Sequence, residues 1–338
     1  MMQKQNPENE RIKRKFFSHL EGPLGRDQKT IQKHADAIAW FEKTTGHKSF
    51  KKFHIDQAMK FRKHLQETLN ARTGRPLSAG TMDGQIRMLK AFFLWLSAQQ
   101  GYKSRVNYTD IDYFNLSRAE RRVAHTPKRK QIATLQQCKR AFDLMPNASV
   151  VERRDKAIFA CFMLTGIRDG ALASLPLSCV DVDAELIYQD ARVMQTKAAK
   201  TITSYFLPIE QDYQDCFVGW INELQNGLLF GHDDPVFPKP KMSVGDYGFS
   251  VIGLSRDFYA NATKIRDVVK TAFTNAGFPA YPPHSLRATL TKWADKHYQS
   301  REAFKAFSQN LGHESVVTTV GSYCPVDEER QGELIRGG

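Results

Sequence analysis

Long apolar runs are missing from this chain of 338 residues. Runs such as residues 91–96 (AFFLWL) fall far short of the ~20 residues that cross a bilayer, so no membrane partner is expected. The opening MMQKQNPENERIKRK lacks an apolar centre and is not a secretory signal. Cysteine is sparse: Cys138, Cys161, Cys179, Cys216 and Cys324 are odd in number, scattered, and never at metal-ligand spacing. Reduced thiols in a cytosolic protein are the default expectation. No internal repeat with a period of roughly 20–50 residues occurs, and no GxxxxGK[ST] nucleotide loop is present.

What remains is the composition of an ordinary soluble protein, 41% hydrophobic and 25% charged, long enough for about two domains. The net charge is +13, and it is unevenly placed. Residues 1–133 hold 27 Lys and Arg against 12 Asp and Glu, whereas residues 134–338 hold 22 against 24. A basic excess confined to one end favours a polyanion partner, because lysine and arginine release condensed counterions on meeting phosphates. Charge kept for solubility is the competing reading.

Four segments follow from the patterning. Residues 1–20 read as a basic tail carrying Arg11, Lys13, Arg14 and Lys15. Residues 21–114 read as a helical domain. Its apolar stripes are Ile31, Ala35, Ile38 and Phe41; Ala58, Phe61, Leu65 and Leu69; and Ile86, Leu89, Phe93 and Leu96, the last helix capped by Ser78. Residues 115–133 (NLSRAERRVAHTPKRKQIA) read as a basic linker, with Arg118, Arg121, Arg122, Lys128, Arg129 and Lys130, and His125, available to a phosphate backbone. Residues 134–338 read as a second domain. In it Thr134 caps a helix, an apolar helix spans about 151–165, and two strands (ELIYQD and TSYFLP) flank MQTKAAKT. The ~20 residues ahead of the first expected helix leave little for a further DNA-binding domain.

Within that second domain, five short motifs occur in order: TGIR ending at Arg168, QTK ending at Lys197, HSLR from His284 to Arg287, LGH ending at His313, and SY ending at Tyr323. Guanidinium and imidazole groups stabilise the charge that gathers on a phosphodiester under attack. A tyrosine hydroxyl can attack it and hold the bond as a phosphotyrosine. Each motif also has a plainer reading. Arg168 can pair with Asp169, Lys197 and Lys200 can be turn residues, His284 and His313 can be helix caps, and Tyr323 can belong to the core. Pro282 and Pro283 force an extended approach, after which His284 or Ser285 starts a helix. The i,i+3 spacing then sets His284 and Arg287 on one face at its N-terminal end, where the helix dipole favours anions.

The ordered set resembles the tyrosine recombinase (phage integrase) family over roughly residues 20–330. The resemblance implies a mainly α protein with a small β-sheet, in which a helical core-binding domain that clamps DNA precedes a mixed α/β catalytic domain. It implies a catalytic set of Arg168, Lys197, His284, Arg287, His313 and the nucleophile Tyr323. Lys197 is the general acid, with Lys200 as the other candidate. It implies double-stranded DNA as partner, four protomers on two DNA sites, no metal or nucleotide cofactor, and a cytoplasmic, nucleoid-associated protein of a mobile element. Two departures stand out. Ala171 occupies a position where the family commonly has an acid, and Tyr323 follows His313 by ten residues where nine is usual. A helix over 325–336, with Asp327 as cap, either docks on a neighbouring subunit or packs on its own domain. A type IB topoisomerase-like enzyme and a DNA-binding relic of the fold are the alternative functions.

Overall fold

The computed structural model describes residues 5–126, 131–245, 248–317 and 319, with 331–332 and 335–336. Tyr323, Cys324, Lys128, Arg129 and Lys130, and most of the helix expected over 325–336, lie outside the described residues. The chain divides into two compact units, Met1–Arg129 and Lys130–Gly338.

The first unit is helical, and it begins earlier than the sequence suggested. Helix α1 spans Pro7–Glu21, so residues 7–20 of the expected tail are helical. Asn6 caps it by accepting from the Glu8 and Asn9 amides, and Pro7 stands at its first position, where a missing N–H costs nothing. Ile12, Phe16 and Leu20, four residues apart, enter the core. A buried polar knot fixes the helix. Asn9 Nδ2 donates to Glu42 Oε1 (2.9 Å) and to the Lys48 carbonyl (3.0 Å), while Lys13 Nζ reaches Glu42 Oε2 at 2.7 Å. Glu42 is 2% exposed, and its charge is tolerable only because these donors meet it.

Helices α2 (Gln28–Thr45), α3 (Ile55–Glu67) and α4 (Ala79–Ser97) carry the expected stripes inward. Two of the expected residues depart: Ala35 is only half-buried, and Leu69 lies beyond the end of α3 and is exposed. Ser78 caps α4 through the Thr81 amide, as its place in sequence suggested. The interior is strongly aromatic, with Phe53 tilted on Phe93 at 4.2 Å between centroids and stacked on Phe114 at 5.4 Å. After α5 (Tyr108–Ile111) comes α6 (Arg118–His125), inside the segment expected to be a linker. The cause is local. Ser117 and Glu120 form a reciprocal capping box, and Glu120 also accepts from Arg62 (3.1 Å) and Gln66 (3.0 Å) of α3. Arg118, Arg121 and Arg122 are exposed along α6.

The second unit is built round α8 (Val150–Thr165), which follows α7 (Leu135–Asp143). Both have capping boxes, Thr134 with Gln137 and Ser149 with Glu152. From Ala157 to Thr165 every residue of α8 is buried, so α8 is a core helix, packed against α10 (Gln211–Asn222). Between them lie α9 (Asp169–Leu172) and an antiparallel sheet of β1 (Val180–Asp181), β2 (Leu186–Gln189) and β3 (Ile202–Tyr205), in that order. Ile187 pairs with Ser204 and faces the core, while Tyr188 and Tyr205 face outward. A second hairpin, β4 (Pro240–Gly245) with β5 (Gly248–Leu254), was not foreseen. Helices α11 (Thr263–Asn275), α12 (Pro283–His297) and α13 (Arg301–Asn310) complete the described part. No helix among the described residues is long and apolar enough to cross a membrane.

Two connections decide where the functional side chains stand. The end of α13 is pinned to β3: Asn310 accepts from the Tyr205 amide (2.6 Å) and donates to the Tyr205 carbonyl (3.0 Å), and Ser204 Oγ donates to the Asn310 carbonyl (2.8 Å). The start of the unit is pinned to α12, where Ser285 Oγ accepts from the Ala133 amide (3.1 Å) and Thr289 Oγ1 donates to the Ala133 carbonyl (2.6 Å).

Candidate active site

Four chain segments of the second unit bring the motif residues together. The first is the end of α8. Gly166 terminates that helix in the left-handed region (φ 59°), and the chain then extends to Arg168 (φ −78°, ψ 142°) at the start of α9. No larger residue fits at Gly166, because a Cβ there would collide with Leu311 and stand 3.2 Å from Leu290 Cδ1. Gly166→Ala is expected to lower stability by about 1–2 kcal/mol for the backbone conformation and a further ~1–3 kcal/mol for overpacking. Urea unfolding of the two proteins measures it.

The second segment is α12. It starts at Pro283, one residue ahead of the expected His284 or Ser285, with Pro282 as the extended residue before it. His284 is exposed in its first turn, and Arg287, one turn on, is 4% exposed. The Arg287 guanidinium donates to the Gly166 carbonyl, to the Leu311 carbonyl (2.9 Å) and to His313 Nε2 (3.1 Å). It therefore joins the end of α8 to the turn after α13, as the planar fork of arginine allows and a lysine would not.

That turn is the third segment. Gly312 has φ 69°, and a Cβ on it would strike Ile202 and come within 3.2 Å of Arg168 Nη1. The bare backbone lets Arg168 Nη2 reach the Gly312 carbonyl at 3.4 Å. His313 follows, with Nδ1 2.7 Å from Thr319 Oγ1, which is itself 2.7 Å from Ser308 Oγ.

The fourth segment is the turn between β2 and β3. Lys197 is exposed at the start of a single 3₁₀ turn. Two irregularities bracket it: Thr196 Oγ1 is buried without a partner, and Ala199 has φ 51°. Strain of this sort collects at functional positions. Lys200 forms an ion pair with Glu314, which holds that carboxyl below its ordinary value.

One titration ties the segments together. Burial, and then the charges of Arg287, Arg168, Lys197 and His284, lower the His313 imidazole to about 4. His313 is thus neutral at pH 7, surrounded by the other four cationic or imidazole groups of the set. The sign follows from linkage. Between roughly pH 6.5 and 4 the unfolded chain binds a proton at this histidine that the folded chain refuses. Stability from this residue is complete above about pH 6.5 and falls as the pH drops toward 4. Denaturant midpoints at pH 5 and 7 are expected to differ more for the wild type than for His313→Gln.

The place where the family resemblance called for an acid is buried. Ala171 is 4% exposed in the core of the unit. The neighbouring Asp169 carboxylate instead holds Arg266 and accepts from the Gly170 amide. Arg168, Lys197, His284, Arg287 and His313 are brought together, whereas Lys200 is turned to Glu314. Arg118, Arg121 and Arg122 belong to α6 of the first unit. Sequence reasoning missed Thr319 and Ser308. Nothing in their spacing announces a contact with an imidazole.

No protein-family model matches the sequence, and no curated protein matches it either. The fold is that of tyrosine recombinases. A lambda integrase dimer bound to a COC' core site superposes with a TM-score of 0.61 at 13% identity, over 93% of this chain and 94% of that one. The Tn1549 transposon integrase in complex with transposon right end DNA gives 0.61 at 15% identity, over 97% and 98%. The XerH site-specific recombinase bound to its difH substrate gives 0.56 at 16% identity, over 96% and 83%. At such identities the likeness is one of fold.

Proposed function

We propose that this protein is a tyrosine site-specific recombinase, which cleaves and rejoins strands of double-stranded DNA through a 3′-phosphotyrosyl intermediate. The observation that carries the reading is the convergence on His313 of Arg287, Arg168, Lys197 and His284, drawn from three separate segments. Guanidinium, ammonium and imidazole donors gathered at one place suit the negative charge that collects on a phosphodiester under attack. Lys197 serves as the general acid in this scheme. Its charge bears on His313, while that of Lys200 is matched by Glu314.

The Tyr323 oxygen forms a bond to the scissile phosphorus, and its proton passes to His284 or another nearby base. The bond from phosphorus to the 5′-oxygen breaks, and Lys197 supplies the proton that the leaving oxygen takes up. Arg168 and Arg287 hold the non-bridging oxygens throughout. A 5′-hydroxyl from a partner strand then reverses the step and frees the tyrosine. The exposed arginines of α6, Arg118, Arg121 and Arg122, together with Lys128, Arg129 and Lys130, follow the DNA backbone. A homotetramer on two sites, acting in the integration or excision of a mobile element at the nucleoid, completes the proposal.

The test is covalent capture. The protein is incubated with a pool of nicked duplexes, digested with protease, and the nucleotide-bearing peptide is identified by mass spectrometry. The expected product is a nucleotide on the peptide containing Tyr323. Duplex binding without any adduct, at every salt concentration tried, would remove the catalytic reading.

A further inference from the structure

We propose that Thr319 is a positioning residue for His313: its hydroxyl, backed by Ser308, holds the imidazole by Nδ1 and leaves Nε2 as the nitrogen that meets the phosphate. The inference rests on the catalytic reading above. It begins with Arg287, whose guanidinium has N–H donors and no acceptor. Its Nη2 lies 3.1 Å from His313 Nε2, so Nε2 must present a lone pair. The proton of the neutral ring then sits on Nδ1, which donates to Thr319 Oγ1 at 2.7 Å. The Thr319 hydroxyl also lies 2.7 Å from Ser308 Oγ, and either hydroxyl can be the donor of that bond. The opposite direction, from Ser308 to Thr319 to Nδ1, would place an Nε2–H head to head with the arginine N–H.

The relay is sealed and anchored. Thr319 is 0% and Ser308 1% exposed, so water cannot take the place of either hydroxyl. Ser308 stands in the last turn of α13, which Asn310 pins to β3. A hydroxyl at this position also suits both states of the ring. When Nε2 takes up a proton to donate to a phosphate oxygen, the Arg287 N–H must turn from Nε2 to that phosphate, while the Nδ1–H bond to Thr319 is kept and the imidazole need not rotate. Thr319 lies six residues after His313 and four before Tyr323 in the sequence. The segment that leads to the nucleophile thus also sets the histidine.

The experiment reads the tautomer directly. Imidazole nitrogens labelled with ¹⁵N are observed in the DNA-free protein at pH 7, and the His313 signals are those lost in His313→Gln. The wild type and Thr319→Ser are expected to show a protonated Nδ1 and a bare Nε2. Thr319→Val is expected to lose that preference. It should also slow adduct formation at saturating nicked duplex roughly 10- to 100-fold, the range seen when a group that orients an imidazole is removed, with duplex affinity unchanged. Should Thr319→Val not fold, Ser308→Ala tests the same chain, and a loosened Nδ1–H preference supports it. A wild type protonated at Nε2, or a Thr319→Val protein that keeps both tautomer and cleavage rate, would overturn the relay. Because the nitrogen signals are recorded without DNA, they stand even if no variant ever forms an adduct. That second outcome bears on the catalytic reading alone.

Discussion

Tyr323→Phe is expected to bind nicked duplex as tightly as the wild type and to yield no covalent adduct at all. The substitution removes one oxygen and leaves the cationic groups that attract the phosphate, Arg168, Lys197 and Arg287, in place. A rate that depends on a nucleophile cannot survive its loss unless another group takes over. The buried hydroxyls and thiols are poor substitutes. Burial pushes the hydroxyls of Tyr102, Tyr213, Tyr259 and Tyr298 away from the phenolate form, which is the reverse of what attack requires. Cys138, Cys161, Cys179 and Cys216 are likewise raised by burial. Adduct yield and competition binding at one fixed salt concentration measure the two halves of the prediction. An adduct persisting in Tyr323→Phe would place the nucleophile elsewhere, with the adjacent Cys324 the first residue to substitute.

Arg287→Met is expected to damage both stability and chemistry. The side chain is 4% exposed and serves the Gly166 carbonyl, the Leu311 carbonyl and His313 Nε2 at once. Each buried acceptor left without a donor costs about 1–3 kcal/mol, so the second unit should lose several kcal/mol by urea unfolding. Adduct formation should fall by about 10²-fold or more, the usual effect of deleting one donor to a developing oxyanion. Arg287→Lys keeps the charge but lacks the planar fork, and should recover little of either loss. A third effect separates this account from simple unfolding. The Arg287 charge is, after burial, the largest cause holding His313 in its neutral form. In the methionine variant the imidazole should therefore titrate closer to its ordinary 6.5, and the pH dependence of stability described above should shrink. Unchanged titration with lost stability would make Arg287 a packing residue.

The motifs were legible because their chemistry is local. An arginine after a glycine-terminated helix, and an i,i+3 pair behind two prolines, can be read one segment at a time. The helices with clean stripes were equally plain, since Phe61 and Leu65 or Leu89, Phe93 and Leu96 repeat at the helical period. Two helices were obscured by charge. In α1 the cations Arg11, Lys13, Arg14 and Lys15 surround Ile12 and Phe16, and the Asn6–Pro7 start was passed over. In α6 the Ser117–Glu120 capping signature was present but outweighed by a run of arginines. The β4–β5 hairpin gave no sign that stood out from its surroundings. The choice between Lys197 and Lys200 depended on where one turn points, and Thr319 on a contact that only the folded chain creates. Such facts lie in tertiary structure and have no periodicity to betray them.

The early start of α1 has a consequence for the basic end of the molecule. Arg11, Arg14 and Lys15 are exposed on a helix whose other side is buried through Ile12, Phe16 and Leu20. A loose tail carrying the same charges would have to surrender its conformational freedom each time it met a polyanion. Here that entropy is lost once, when the unit folds, and the three cations keep a fixed spacing set by the helical rise. Salt can screen such an array but cannot rearrange it.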